Sequence, residues 1–136
     1  MAAGAAELPK NDGGCEYMMQ IYLIEEEELL AKIHSDFLKD LGYKVIKFKT
    51  VSEMSEALKD APRPDVIVLN SFTSRNECIR GIGEIHKIFP ETKIILISDL
   101  LTPGEATSYG AYSHDQRMDL SGLEEALIKI KQDSRS

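Results

Sequence analysis

The sequence predicts an α/β protein built on a single doubly wound, five-stranded parallel sheet. Three observations carry that expectation. Short runs of aliphatic residues alternate with longer stretches whose apolar residues recur at helical spacing. One run, Pro64-Asp65-Val66-Ile67-Val68-Leu69-Asn70, is aliphatic from Val66 to Leu69 and reads as a central strand buried on both faces. The connections are too short for anything but right-handed crossovers.

Met19 to Ile24 forms the first predicted strand and runs into Glu25-Glu26-Glu27-Glu28. A helix follows with Leu30, Ile33, Phe37 and Leu41 as its apolar face and Gly42 as its stop. Tyr43 to Phe48 is the second strand, shorter and more polar, as an edge or near-edge strand would be. Thr50 with Glu53 has the spacing of a capping box for a second helix carrying Met54, Ala57 and Leu58. Pro62-Arg63-Pro64 ends it ahead of the central strand. The third helix runs from about Asn76 to Phe89, with Pro90 as terminator. Lys93 to Ile97 is the fourth strand, ending at Ser98-Asp99. A short helix opens at Pro103-Gly104 and closes at Gly110, and the fifth strand is expected around Ala111 to Ser113. Ser121 and Glu124 cap a last helix with Leu123, Leu127 and Ile130 on one face.

A chain of 136 residues, 43% hydrophobic and 29% charged, supports one domain with one moderate core. The expected boundaries are a disordered tail over residues 1–18, the domain over 19–131 and a C-terminal tail over 132–136. A net charge of −7 argues against nucleic acid as a direct partner, since phosphate binding needs clustered Lys and Arg. No apolar run is long enough to span a membrane, and the N-terminal stretch lacks a secretory signal's apolar core; a cytoplasmic protein is expected. Cys15 and Cys78 suggest neither a disulfide framework nor a metal knuckle. His34, His86 and His114 are equally scattered and read as surface or half-buried residues rather than ligands.

Five pieces, in order, resemble the receiver domains of two-component response regulators. They are Ile21 to Glu26, Leu41-Gly42-Tyr43-Lys44-Val45, Pro64 to Leu69, Ile94 to Ser98, and Tyr109-Gly110-Ala111. The resemblance covers about residues 19–131 and implies a flavodoxin-like (βα)5 fold. It also implies a phosphoacceptor aspartate ending the third strand, an acidic pair that holds Mg²⁺ with it, a Thr or Ser on the fourth strand and a Lys on the fifth. In this chain the phosphoacceptor position is Asn70, the acidic pair is Glu25 and Glu26, the hydroxyl is Ser98, and Gln116 or Arg117 stands where the Lys would be. Ser74 and Cys78 replace the family's proline and glycine, and the fourth helix is short.

A carboxamide is too weak a nucleophile to form an acyl phosphate. The expectation is therefore a degenerate receiver, not an enzyme, acting in phosphorelay signalling as a phosphorylation-independent interaction module. It would keep no cofactor beyond a weak residual Mg²⁺ site at Glu25 and Glu26. Acidic residues in a first helical turn also favourably meet the helix dipole, so Glu27 and Glu28 need no further role. The alternative is a flavodoxin-like small enzyme or nucleotide-binding domain. That reading needs an anion-cradling loop after the first strand, where four glutamates stand instead. Arg75 reads either as a solvated loop residue or as a partner for Glu25 or Glu26. The resemblance places the partner surface around the fourth helix and fifth strand, where Tyr109, Tyr112 and Met118 cluster. Its partner would be a sensor kinase or another signalling protein, or a second copy in a homodimer.

Overall fold

The computed structural model describes residues 18–70, 74–115 and 120–135. Most of the expected N-terminal tail lies outside them. Elements alternate in the order β1 (Gln20–Glu25), α1 (Glu28–Asp40), β2 (Lys44–Phe48), α2 (Val51–Glu56), β3 (Val66–Asn70), α3 (Arg75–Ile88), β4 (Lys93–Ile97), α4 (Pro103–Tyr109), β5 (Ser113–Asp115) and α5 (Leu120–Arg135). The strands pair in parallel in the order β2-β1-β3-β4-β5, with the three-residue β5 beside β4 at one edge. This is the α/β, flavodoxin-like architecture.

Strand period divides the core in two. Tyr22, Ile24, Ile67, Leu69, Ile94 and Leu96 face one layer, closed by α2, α3 and α4. Ile21, Leu23, Val66, Val68, Ile95 and Ile97 face the other, where α1 and α5 pack. Tyr22 anchors the first layer. Its ring makes edge contacts with Phe48 at 5.1 Å and Phe89 at 6.1 Å, and its hydroxyl donates to the Pro62 carbonyl. The hydroxyl is thus satisfied inside the core, as a buried phenol requires.

Local signals hold the helices' ends. Leu41, Gly42 and Tyr43 close α1 in a Schellman arrangement: the Gly42 amide donates to Lys39 and the Tyr43 amide to Leu38, with Gly42 at φ +97°. The Thr50 hydroxyl accepts from the Glu53 amide, but Glu53 returns its bond to the Lys49 amide, so the expected box is offset by one residue. The complete reciprocal box is at Thr102 and Glu105 on α4.

Several expectations are corrected. The core side of α1 is Ala31, His34, Ser35 and Leu38, whereas Ile33 and Leu41 are 44% and 39% exposed. Small Ala31 and Ser35 let that side of the helix lie close on the sheet, which larger side chains would hold off. His34, read as a surface or half-buried residue, is 1% exposed. α2 ends at Glu56, so Ala57 and Leu58 lie beyond it. β5 begins at Ser113, two residues later than expected, and Tyr112 precedes it. α5 starts before Ser121, which is therefore not its cap, and it continues through the expected tail to Arg135. Leu123, Leu127 and Ile130 are buried as expected.

Candidate functional site

β1 and β3 are neighbours, and their register sets Glu25 directly opposite Asn70 at the carboxyl ends of the strands. This is where ligands meet open α/β sheets. The Asn70 Nδ2 donates to Glu25 Oε1 at 2.5 Å, and the Glu27 amide donates to Glu25 Oε2 at 3.0 Å. Glu25 is 5% exposed. Burial pushes its pKa above the ordinary value, and the Glu27 amide and Asn70 carboxamide only partly oppose that.

Glu26 goes elsewhere. In the bend that follows β1, Glu26 lines an open groove of about 280 Å³ between α2 and α3 with Thr50, Glu77 and Arg80. The acidic pair therefore does not converge. Among the described residues no group of three or more His, Cys, Asp or Glu is placed to hold a metal ion. Both Glu25 oxygens accept hydrogen bonds, and Asn70 offers an amide donor where a third carboxylate would be needed. The residues present do not fit a Mg²⁺ ion.

Ser98 Oγ accepts from the Leu100 amide at 3.0 Å and is hydrogen-bonded to the buried Cys78 thiol. Burial pushes the Cys78 pKa up. Arg75, read either as a solvated loop residue or as a partner for Glu25 or Glu26, is the first residue of α3. It pairs with Glu105 of α4 and hydrogen-bonds Tyr109, not Glu25 or Glu26. That guanidinium, with the Thr102 backbone amide, lowers the Glu105 carboxyl to about 2. The only sequence signal was the Thr102-to-Glu105 capping spacing, which fixes Glu105 on the first turn facing α3.

Of the expected partner surface, Tyr109 is 42% exposed. Tyr112 is half-buried: its hydroxyl donates to Asp133 of α5 and Lys93 Nζ lies 5.2 Å over its ring. Gln116 and Met118 lie outside the described residues.

Glu25→Gln tests the electrostatics. A carboxyl raised above 4.5 by folding contributes stability that is full below that value and lost as pH rises through the folded one. The Gln variant should lack this slope. Its urea midpoint should gain on the native chain between acid and neutral pH, by about 1.4 kcal/mol for each unit of elevation. Parallel profiles would show that Glu25 carries no buried charge.

No protein-family model and no curated protein sequence matches the chain. Solved structures do. A response regulator receiver domain from Clostridium thermocellum superposes with a TM-score of 0.72 at 18% identity, covering 87% of this chain and 98% of that one. A two-component response regulator from Clostridium difficile gives 0.75 at 15% identity, covering 88% and 100%. The Thermotoga maritima response regulator TrrA, solved in complex with Mg²⁺ and BeF, gives 0.69 at 19% identity, covering 83% and 99%. The chain is similar to these in fold, over nearly the whole of each of them. No helix among the described residues is long and apolar enough to cross a membrane.

Proposed function

We propose that the chain is a receiver-like protein-interaction module of two-component signal transduction that works without phosphorylation and without catalysis. The observation that carries this reading is the Asn70 amide seated on the Glu25 carboxylate. At the position where the resemblance puts a nucleophilic aspartate, this chain has a neutral donor. Its N–H supplies the positive end of a dipole to Glu25, part of the role a metal ion has among carboxylates. Without a phosphoryl group nothing differentially stabilises a second arrangement, so the partner surface stays in one state. That surface centres on α4 and the exposed Tyr109; Tyr112 contributes less, being tied to Asp133 and Lys93. Its partner is a sensor kinase or another signalling protein in the cytoplasm, with a homodimer as the alternative assembly. The glutamates after β1 disfavour the nucleotide-binding reading.

Incubation with Mg²⁺ and a small acyl- or amido-phosphate donor, followed by intact-mass measurement, should give no added phosphate. A stoichiometric, hydroxylamine-labile adduct at residue 70 would overturn the proposal.

A further inference from the structure

Helix α1 meets the sheet through Ala31, His34, Ser35 and Leu38. Two of these four are polar, and His34 Nδ1 and Ser35 Oγ are both buried without a hydrogen-bond partner among the described residues. The cluster on this side of the sheet is apolar, with Ile21 and Leu23 of β1, Val66 and Val68 of β3, and Leu123 and Leu127 of α5. A neutral imidazole can remain in such surroundings at the cost of an unmade hydrogen bond. An imidazolium cannot remain there without a partner.

Among the described residues, the charged and titratable groups on the elements packed against α1 offer none. Glu25 at the end of β1 is committed to Asn70 and the Glu27 amide. Tyr43, just before β2, is a phenol whose pKa is raised by burial and by Glu124, and β2 itself carries Lys44 and Lys47. Glu124 of α5 acts on Tyr43. On α1 itself, Asp36 is paired with Lys32 on the exposed side. Burial alone accounts for the lowered pKa of His34; no neighbouring charge contributes.

We propose that acid releases α1 from the sheet, with His34 as the group that takes up the proton. The helix is suited to detach before the rest unfolds. Its buried apolar side chains are only Ala31 and Leu38, with Leu30 and Phe37 half-buried. Local opening therefore costs less than dismantling a sheet whose central strands are covered on both faces. A histidine lowered on folding leaves the docked helix fully stable above 6.5 and weakens it as pH falls toward the lowered value. In that window each pH unit multiplies the detached population about tenfold. Release uncovers Ile21 and Leu23.

Amide hydrogen exchange, corrected for its intrinsic pH dependence, tests this between about pH 7.5 and about 5.5, the range in which histidine titrates. In the native chain the amides of residues 31–38 should lose protection about tenfold per unit below 6.5, while those of β3 and β4 keep theirs. His34→Leu and His34→Gln should both be flat. Loss of protection in α1 and β3 together would overturn the proposal, as would the same loss in the variants. If neither variant folds, NMR titration of the native imidazole decides: a folded value at 6.5 overturns the proposal and a lower one supports it.

Discussion

Gly110→Ala should destabilise the domain by about 2–4 kcal/mol, combining left-handed backbone strain with a lost hydrogen bond. Gly110 closes α4 at φ +115°, and a Cβ there would stand 2.3 Å from His86 Nε2. The ring cannot simply swing away without loss, because the same Nε2 bonds the Gly110 carbonyl at 2.9 Å and ties the end of α3 to the approach to β5. Gly42→Ala is the control. Its φ is +97°, but a Cβ there would meet nothing within 4 Å, so only the conformational cost of about 1–2 kcal/mol applies. Urea unfolding should rank the two variants in that order. In a His86→Ala background the Gly110→Ala penalty should shrink toward the Gly42→Ala value. Equal midpoints for the two single variants in the native background would mean that the His86 contact carries no weight.

Asn70→Asp should cost about 2–4 kcal/mol at neutral pH, because it removes a donor to a buried carboxylate and sets a second carboxylate against it. The pair cannot both ionise readily, so one folded pKa rises. Its stability contribution is full below ordinary carboxylate values and lost as pH rises through the raised value. The variant should therefore recover as the solution is acidified, and the gap to the native chain should narrow. The added carboxylate should also raise Mg²⁺ affinity, so Mg²⁺ should lift the variant's unfolding midpoint more than the native chain's. Identical pH profiles and identical Mg²⁺ responses would place residue 70 away from Glu25.

That pairing illustrates what a strand pattern can and cannot convey. Asn70 was legible as the end of a buried central strand because its four aliphatic predecessors have no other home. Glu25 and Glu26 were read together from their adjacency, yet they part. One ends β1 and closes on Asn70, and the other, in the bend beyond the strand, turns into the α2–α3 groove. The same lesson applies to Arg75. Whether it would reach the acidic residues of β1 or Glu105 of α4 depended on how two helices far apart in sequence lie across the sheet.

By itself the sequence determined the alternation of strands and helices, the buried β3, the edge or near-edge placement of β2, the stops at Gly42 and Gly110, and a carboxamide in place of a carboxylate at residue 70. These follow from local chemistry: side-chain period, cap residues, backbone freedom, and carboxamide against carboxylate. Tertiary structure alone decided which side of α1 is buried, because its wide apolar arc offered more than one solution. It likewise decided that Tyr112 docks on Asp133 and that His34 is buried with its Nδ1 unpartnered among the described residues. Each of these depends on what a distant segment presents, and no local spacing encodes that.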